Sequence, residues 1–129
     1  MSFDPRTLGK SVYEALTNLK QEASNDSILK KQKSMAQEIY TYLSTWGLMR
    51  LKAEEKALGT DGRELSVKAF FQCLESISGK QNLANDRGLE TLKSLSVDEY
   101  LGLTGLGLAI AQEFSFWTTA VYHDVSGDD

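Results

Sequence analysis

The sequence predicts an all-α fold, a compact bundle of about five helices with the C-terminal one at its centre. Apolar residues recur at steps of three, four and seven along almost the whole chain. A capping residue or turn signal stands ahead of each such segment. No stretch alternates with the two-residue period of a half-buried strand.

The elements follow in order. Asp4 can cap a first helix, and Pro5, the only proline, takes its first position, where the missing N–H costs nothing. Leu8, Val12, Ala15, Leu16 and Leu19 carry that helix to about Glu22. Asn25-Asp26-Ser27 forms a turn that caps a long second helix from about Ile28 to Leu58, closed by Gly59. Its stripe of Ile28, Met35, Ile39, Tyr42, Trp46, Met49 and Ala53 is expected to face the core. Ser44-Thr45-Trp46-Gly47 is the weak point, where poor helix formers predict a kink or short break. Thr60-Asp61-Gly62 forms the next turn, and Asp61 with Glu64 has the spacing of a cap pair. A third helix to about Ser78 turns Leu65, Ala69, Phe70, Cys73, Leu74 and Ile77 inward. A polar loop over 79–85 leads to a short fourth helix, about Asp86–Leu95. Ser96 and Glu99 then form a capping box for a fifth helix from Val97 to about Tyr122.

Gly102, Gly105 and Gly107 weaken this last helix by about 1 kcal/mol each relative to Ala, which points to close helix–helix approach. Its apolar composition predicts burial on every side, so Gly105→Leu is expected to unfold the chain by overpacking. The whole chain, 1–129, reads as one domain, with 124–129 a frayed acidic tail.

Composition bounds the chemistry. With 129 residues, 41% hydrophobic and 25% charged, the chain can bury a core and is not wholesale disordered. The net charge of −4 is unevenly spread: residues 1–68 carry +2 and residues 69–129 carry −6. One cysteine, Cys73, excludes an intramolecular disulfide and a multi-cysteine zinc site; on an apolar helical face it reads as a buried, inert thiol. The start, Met1-Ser2-Phe3-Asp4-Pro5, lacks the apolar region of a signal peptide, and a cytoplasmic location is expected. Gln112 and Glu113 at the middle of Tyr100–Tyr122 argue for a core helix and against a membrane span. The glycines match no nucleotide-binding loop, and His123, the only histidine, lacks converging partners. Neighbouring carboxylates such as Glu54/Glu55 and Asp98/Glu99 splay around their helices. No enzyme activity, cofactor or metal site is expected.

The candidate functional surface is a set of cations. Lys30, Lys31, Lys33, Arg50, Lys52 and Lys56 on the second helix, with Lys20 at the end of the first, form the predicted nucleic-acid-binding residues. Lys30 and Lys33 share a helix face, as do Lys52 and Lys56. Tyr40, Tyr42 and Trp46 on the same helix raise that reading against an ordinary solvated face, while their helical spacing places most of them in the core.

Three stretches carry a family resemblance. Lys31-Gln32-Lys33-Ser34 leads into an amphipathic helix and Thr45-Trp46-Gly47-Leu48-Met49; a helix of the Val67–Ile77 type follows. Last comes Tyr100-Leu101-Gly102-Leu103-Thr104, then Leu106, Leu108-Ala109 and a late Trp117. From about Ile28 to Tyr122 the chain resembles the small helical subunit of type III-B (Cmr) CRISPR effector complexes, and more broadly the type III small subunits. The resemblance implies a non-catalytic role in antiviral defence. Copies of the chain would stack beside the other effector subunits and hold target RNA against the crRNA by sequence-independent electrostatics. Where the family often carries Arg after the Tyr and Lys/Arg after the Trp, this chain has Leu101 and Thr118-Thr119. The basic role then falls to the first two helices. The competing expectation is a helical adaptor or dimerisation module without nucleic acid, with Trp46 and the glycine-rich last helix as its contact surface.

Overall fold

Helix is the only regular structure in the computed structural model, which describes residues 5–58 and 62–125. Six helices run in order: α1 (Pro5–Gln21), α2 (Asp26–Trp46), α3 (Leu48–Ala57), α4 (Arg63–Ser78), α5 (Gly88–Ser94) and α6 (Val97–Val121). α6 packs against α1, α2 and α4, while α4 also meets α1, α2 and α3. The C-terminal helix is therefore central to the packing, as its composition predicts. No helix among the described residues is long and apolar enough to cross a membrane.

The expected long second helix is two helices. Gly47 has φ +89° and ψ 172°, a backbone conformation that only glycine enters without steric cost. Its N–H donates to the Leu43 carbonyl (2.9 Å) and ends α2; its own carbonyl accepts from the Leu51 N–H (3.1 Å) and starts α3. The break re-phases the apolar stripe. Met35 and Ile39 are buried as expected, but Trp46 is 50% exposed and Met49 and Ala53 face solvent. Leu43, Leu48 and Leu51 take the core positions instead.

The remaining boundaries differ in detail. Asp4, Gly59 and Asp61, expected at caps, lie outside the described residues. α4 starts beyond a left-handed Gly62 whose N–H donates to Glu64 Oε1 (2.8 Å). α5 starts at Gly88, two residues later than expected, because Asn85 forms a turn that takes up the Arg87 and Gly88 amides. The capping box of α6 is present in both directions, Glu99 N–H to Ser96 Oγ (3.2 Å) and Ser96 N–H to Glu99 Oε1 (3.0 Å).

Phe70 sits in the core, edge-on to both Phe71 and Phe114 (centroids 5.2 and 5.9 Å apart). A buried polar cluster ties four elements together. Gln32 Nε2 donates to the Leu19 carbonyl (3.2 Å), Tyr122 Oη donates to Gln32 Oε1 (2.8 Å), and Ser66 Oγ donates to the Gln32 carbonyl (2.8 Å). Among the described residues no buried side-chain polar atom lacks a partner, so this cluster specifies register without an unmet desolvation cost. Burial pushes the Tyr122 hydroxyl well above its ordinary range and the Cys73 thiol up to about 12, so Cys73 is the inert thiol expected.

Two expectations about the C-terminal region are corrected. Of the tail expected to fray, Asp124 and Val125 are held by Lys20 and Lys33, and 126–129 lie outside the described residues. α6 is not buried on all sides: Gly102 and Gly105 are exposed, and a Cβ at either would meet nothing within 4 Å.

Candidate nucleic-acid interface

The seven predicted cations do not form one surface. Their neighbours divide them into three groups.

Lys52 is a structural residue and is not available to a ligand. Only 7% of it is exposed, since the break at Gly47 turns this side of α3 inward. Its ammonium donates to Glu55 Oε1 (2.9 Å) and to the Ala84 carbonyl (3.1 Å) and lies 5.0 Å from the Phe71 ring centroid. It pins α3 to the segment ahead of α5. Gly88 leaves room for its stem, and a Cβ there would fall on the Lys52 side chain and the Leu83 carbonyl.

Lys20 and Lys33 grip the chain's own C-terminal turn. Lys20 Nζ donates to the Val121 carbonyl (2.9 Å) and to Asp124 Oδ1 (2.6 Å); Lys33 Nζ donates to the Val125 carbonyl (2.6 Å). The hydrogen bond and charge of Lys20 hold the Asp124 carboxyl below its usual range. Lys30 lines the same hollow, with Asp26 and Leu29.

The others face solvent more freely. Lys30 and Lys31 are half-buried and Lys56 is exposed; none of the three makes an ion pair among the described residues. Arg50 is exposed and stacks on Trp46, its guanidinium carbon 4.2 Å from the ring centroid. Lys30 and Lys31 belong to the start of α2, whereas Arg50 and Lys56 sit beyond the Gly47 break.

A second surface lies on the glycine-rich helix, which only the competing adaptor reading used as a contact surface. The exposed residues of α6 between Leu101 and Ala120 are Leu101, Gly102, Gly105, Gln112, Phe116, Thr119 and Ala120, and none is charged. Leu101 and Phe116 are 62% and 61% exposed. Steps of four, four, three and four from Leu101 through Gly105, Ala109 and Gln112 to Phe116 place them on one stripe. The legible signal was the missing polar face: apolar and small residues surround this helix, so helical period alone could not separate core from surface.

Sequence reasoning missed how two motif segments meet. The Tyr100 hydroxyl accepts the Met49 N–H (3.1 Å) and so caps α3, whose first turn has no side-chain cap of its own. Tyr100 thus stabilises the Gly47 break from α6. Between α1 and α6, Gly9, Tyr13, Glu113 and Trp117 line an apolar groove of about 440 Å³ with Arg6 and Lys10. Glu113 Oε1 accepts the Trp117 indole N–H (3.1 Å) there.

Among the described residues, no three His, Cys, Asp or Glu side chains come together as a metal site. Comparison with protein-family models, with curated proteins and with solved structures gives no match.

Proposed function

We propose that this chain is a non-catalytic small subunit of a type III CRISPR RNA-guided complex, stacking with other subunits and holding target RNA through its backbone charge. The observation that carries the assembly half is the uncharged stripe on α6. A helix exposing Leu101 and Phe116, with no charged residue among its exposed positions from Leu101 to Ala120, leaves apolar surface in water that a partner helix would bury. Gly102 and Gly105 let a partner backbone approach closely. The RNA half rests on the resemblance of the α2 and α6 segments to the type III small subunits, and on surface cations outside that stripe. Lys30, Lys31, Arg50 and Lys56 carry it, and Lys52 does not.

Two variants test this in a reconstituted complex. Phe116→Glu places a carboxylate in the stripe and is expected to prevent incorporation of the subunit while leaving its melting temperature unchanged. Lys30→Glu with Lys31→Glu and Lys56→Glu is expected to leave assembly intact and to weaken target-RNA retention, most at low salt. Loss of assembly in the first with unchanged retention in the second would replace this reading by a helical adaptor without nucleic acid.

A further inference from the structure

The two lysines that grip the C-terminal turn belong to different helices, Lys20 to α1 and Lys33 to α2. The oxygens they hold, from Val121, Asp124 and Val125, lie 2.6–2.9 Å from the two ammonium groups, one of them a carboxylate oxygen. A phosphate bridging the same lysines would present the same kind of array: anionic oxygens accepting charge-assisted hydrogen bonds. The hollow beside them is lined by Lys20, Asp26, Leu29 and Lys30 with Asp124 and Val125, so a third cation, Lys30, stands next to the turn.

The turn is built to lift. Its anchor is Tyr122, fully buried and bonded to Gln32 Oε1 at 2.8 Å. Beyond it His123 and Asp124 are exposed, and Val125 is joined back by its N–H to the Tyr122 carbonyl (3.0 Å). The Lys20–Asp124 pair is itself open to water, the side chains 25% and 60% exposed. Such a pair contributes little on its own and yields to a more highly charged competitor. Raising residues 124–125 uncovers Lys20 and Lys33 without disturbing the buried cluster of Gln32, Ser66 and Tyr122.

We propose that the C-terminal turn is an internal counterion, an autoinhibitory contact that competes with RNA phosphate for Lys20 and Lys33. This rests on the RNA-holding reading above and specifies how that surface is regulated. RNA contact by Lys20 and Lys33, added to that of Lys30, Lys31, Arg50 and Lys56, requires the turn to leave; a longer run of phosphates held in place by an assembled complex displaces it.

The test compares the wild-type chain with Asp124→Asn, each assembled in the complex and probed with single-stranded RNA across a salt series. Asp124→Asn removes the charge of the latch and leaves the fold, so melting temperatures should agree. The variant is expected to hold RNA about threefold more tightly at low salt, the size of one exposed ion pair. Its log–log salt dependence should steepen by about 0.7, the signature of one further neutralised phosphate on a single strand. In the wild type, the Val125 amide should exchange faster with deuterated solvent when RNA is added. Equal affinity and slope for the two chains, with Val125 protection unchanged by RNA, would overturn the latch and leave the RNA reading standing. If neither chain retains RNA, the RNA reading fails and the latch falls with it.

Discussion

α6 presents two faces made from the same kinds of residue and treated in opposite ways. On one, Leu103, Gly107, Ile110, Ala111, Phe114 and Thr118 are buried against α1, α2 and α4. On the other, Leu101, Gly102, Gly105 and Phe116 stand in solvent. At Gly107 a Cβ would already touch Leu43, Leu48 and Phe70, 3.4–3.5 Å away, which leaves no room for a longer side chain. A Cβ at Gly102 or Gly105 would meet open space. The difference teaches that apolar composition marks a helix that something must cover, while only the neighbours decide whether the same chain does the covering.

The largest effect separates two phenylalanines two positions apart. Phe114→Ala removes a fully buried ring packed edge-on against Phe70 and is expected to cost about 3–5 kcal/mol. Phe116→Ala is expected to change monomer stability by less than about 0.5 kcal/mol, as exposed positions do. Urea unfolding of both variants measures this directly. Comparable losses would show that the exposed face is covered within the folded monomer.

The glycines give the next contrast. Gly107→Leu must push aside Leu43, Leu48 and Phe70 and is expected to cost about 1–3 kcal/mol. Gly105→Leu, expected from composition to unfold the chain, should instead leave it folded and gain up to about 1 kcal/mol of helix propensity. Thermal melting ranks the pair, and sedimentation beside it sharpens the comparison. Loss of self-association in Gly105→Leu with a normal melting temperature makes the exposed face an interface.

The smallest effect concerns the start of α6. Hydrogen bonds from the Ser96 backbone and hydroxyl, with the charge of Lys80, hold the Glu99 carboxyl below its usual range. Because the folded pKa is the lower one, the capping box stabilises fully above the ordinary Glu range. That contribution disappears as pH falls through the lowered folded value. Ser96→Ala is expected to cost about 1 kcal/mol near neutral pH as a lost N-cap. The gap between variant and wild type should narrow on acidification, read from melting temperatures across a pH series. A gap that is flat in pH would mean that the Ser96 hydroxyl does not lower the Glu99 pKa, the bond from the backbone N–H being kept in the variant.

Much of the fold was legible because its signals are local. The apolar spacing of Leu8, Val12, Leu16 and Leu19 and the Ser96–Glu99 box act within a turn or two of helix, where residue order is geometry. Gly47 was legible as a weak point for the same reason, though not the direction the chain takes beyond it. The cations were legible as charges only. Lys52 and Lys56 share a helix face by spacing, yet one is buried against Ala84 and Phe71 and the other is exposed. The approach of Ala84 and Phe71 to the Lys52 side of α3 made that choice.

By itself, then, the sequence determined an all-α chain with the caps at Asn25 and Ser96, its inward stripes on α1 and α4, and a buried Cys73. Those features depend on backbone propensity and on side chains that meet within one element. The tertiary structure alone decided that Tyr100 caps α3, that Lys20 and Lys33 hold the C-terminal turn, and that one side of α6 is left uncovered. Each joins residues far apart in the chain, and helical periodicity carries no information about which distant element arrives at a given face.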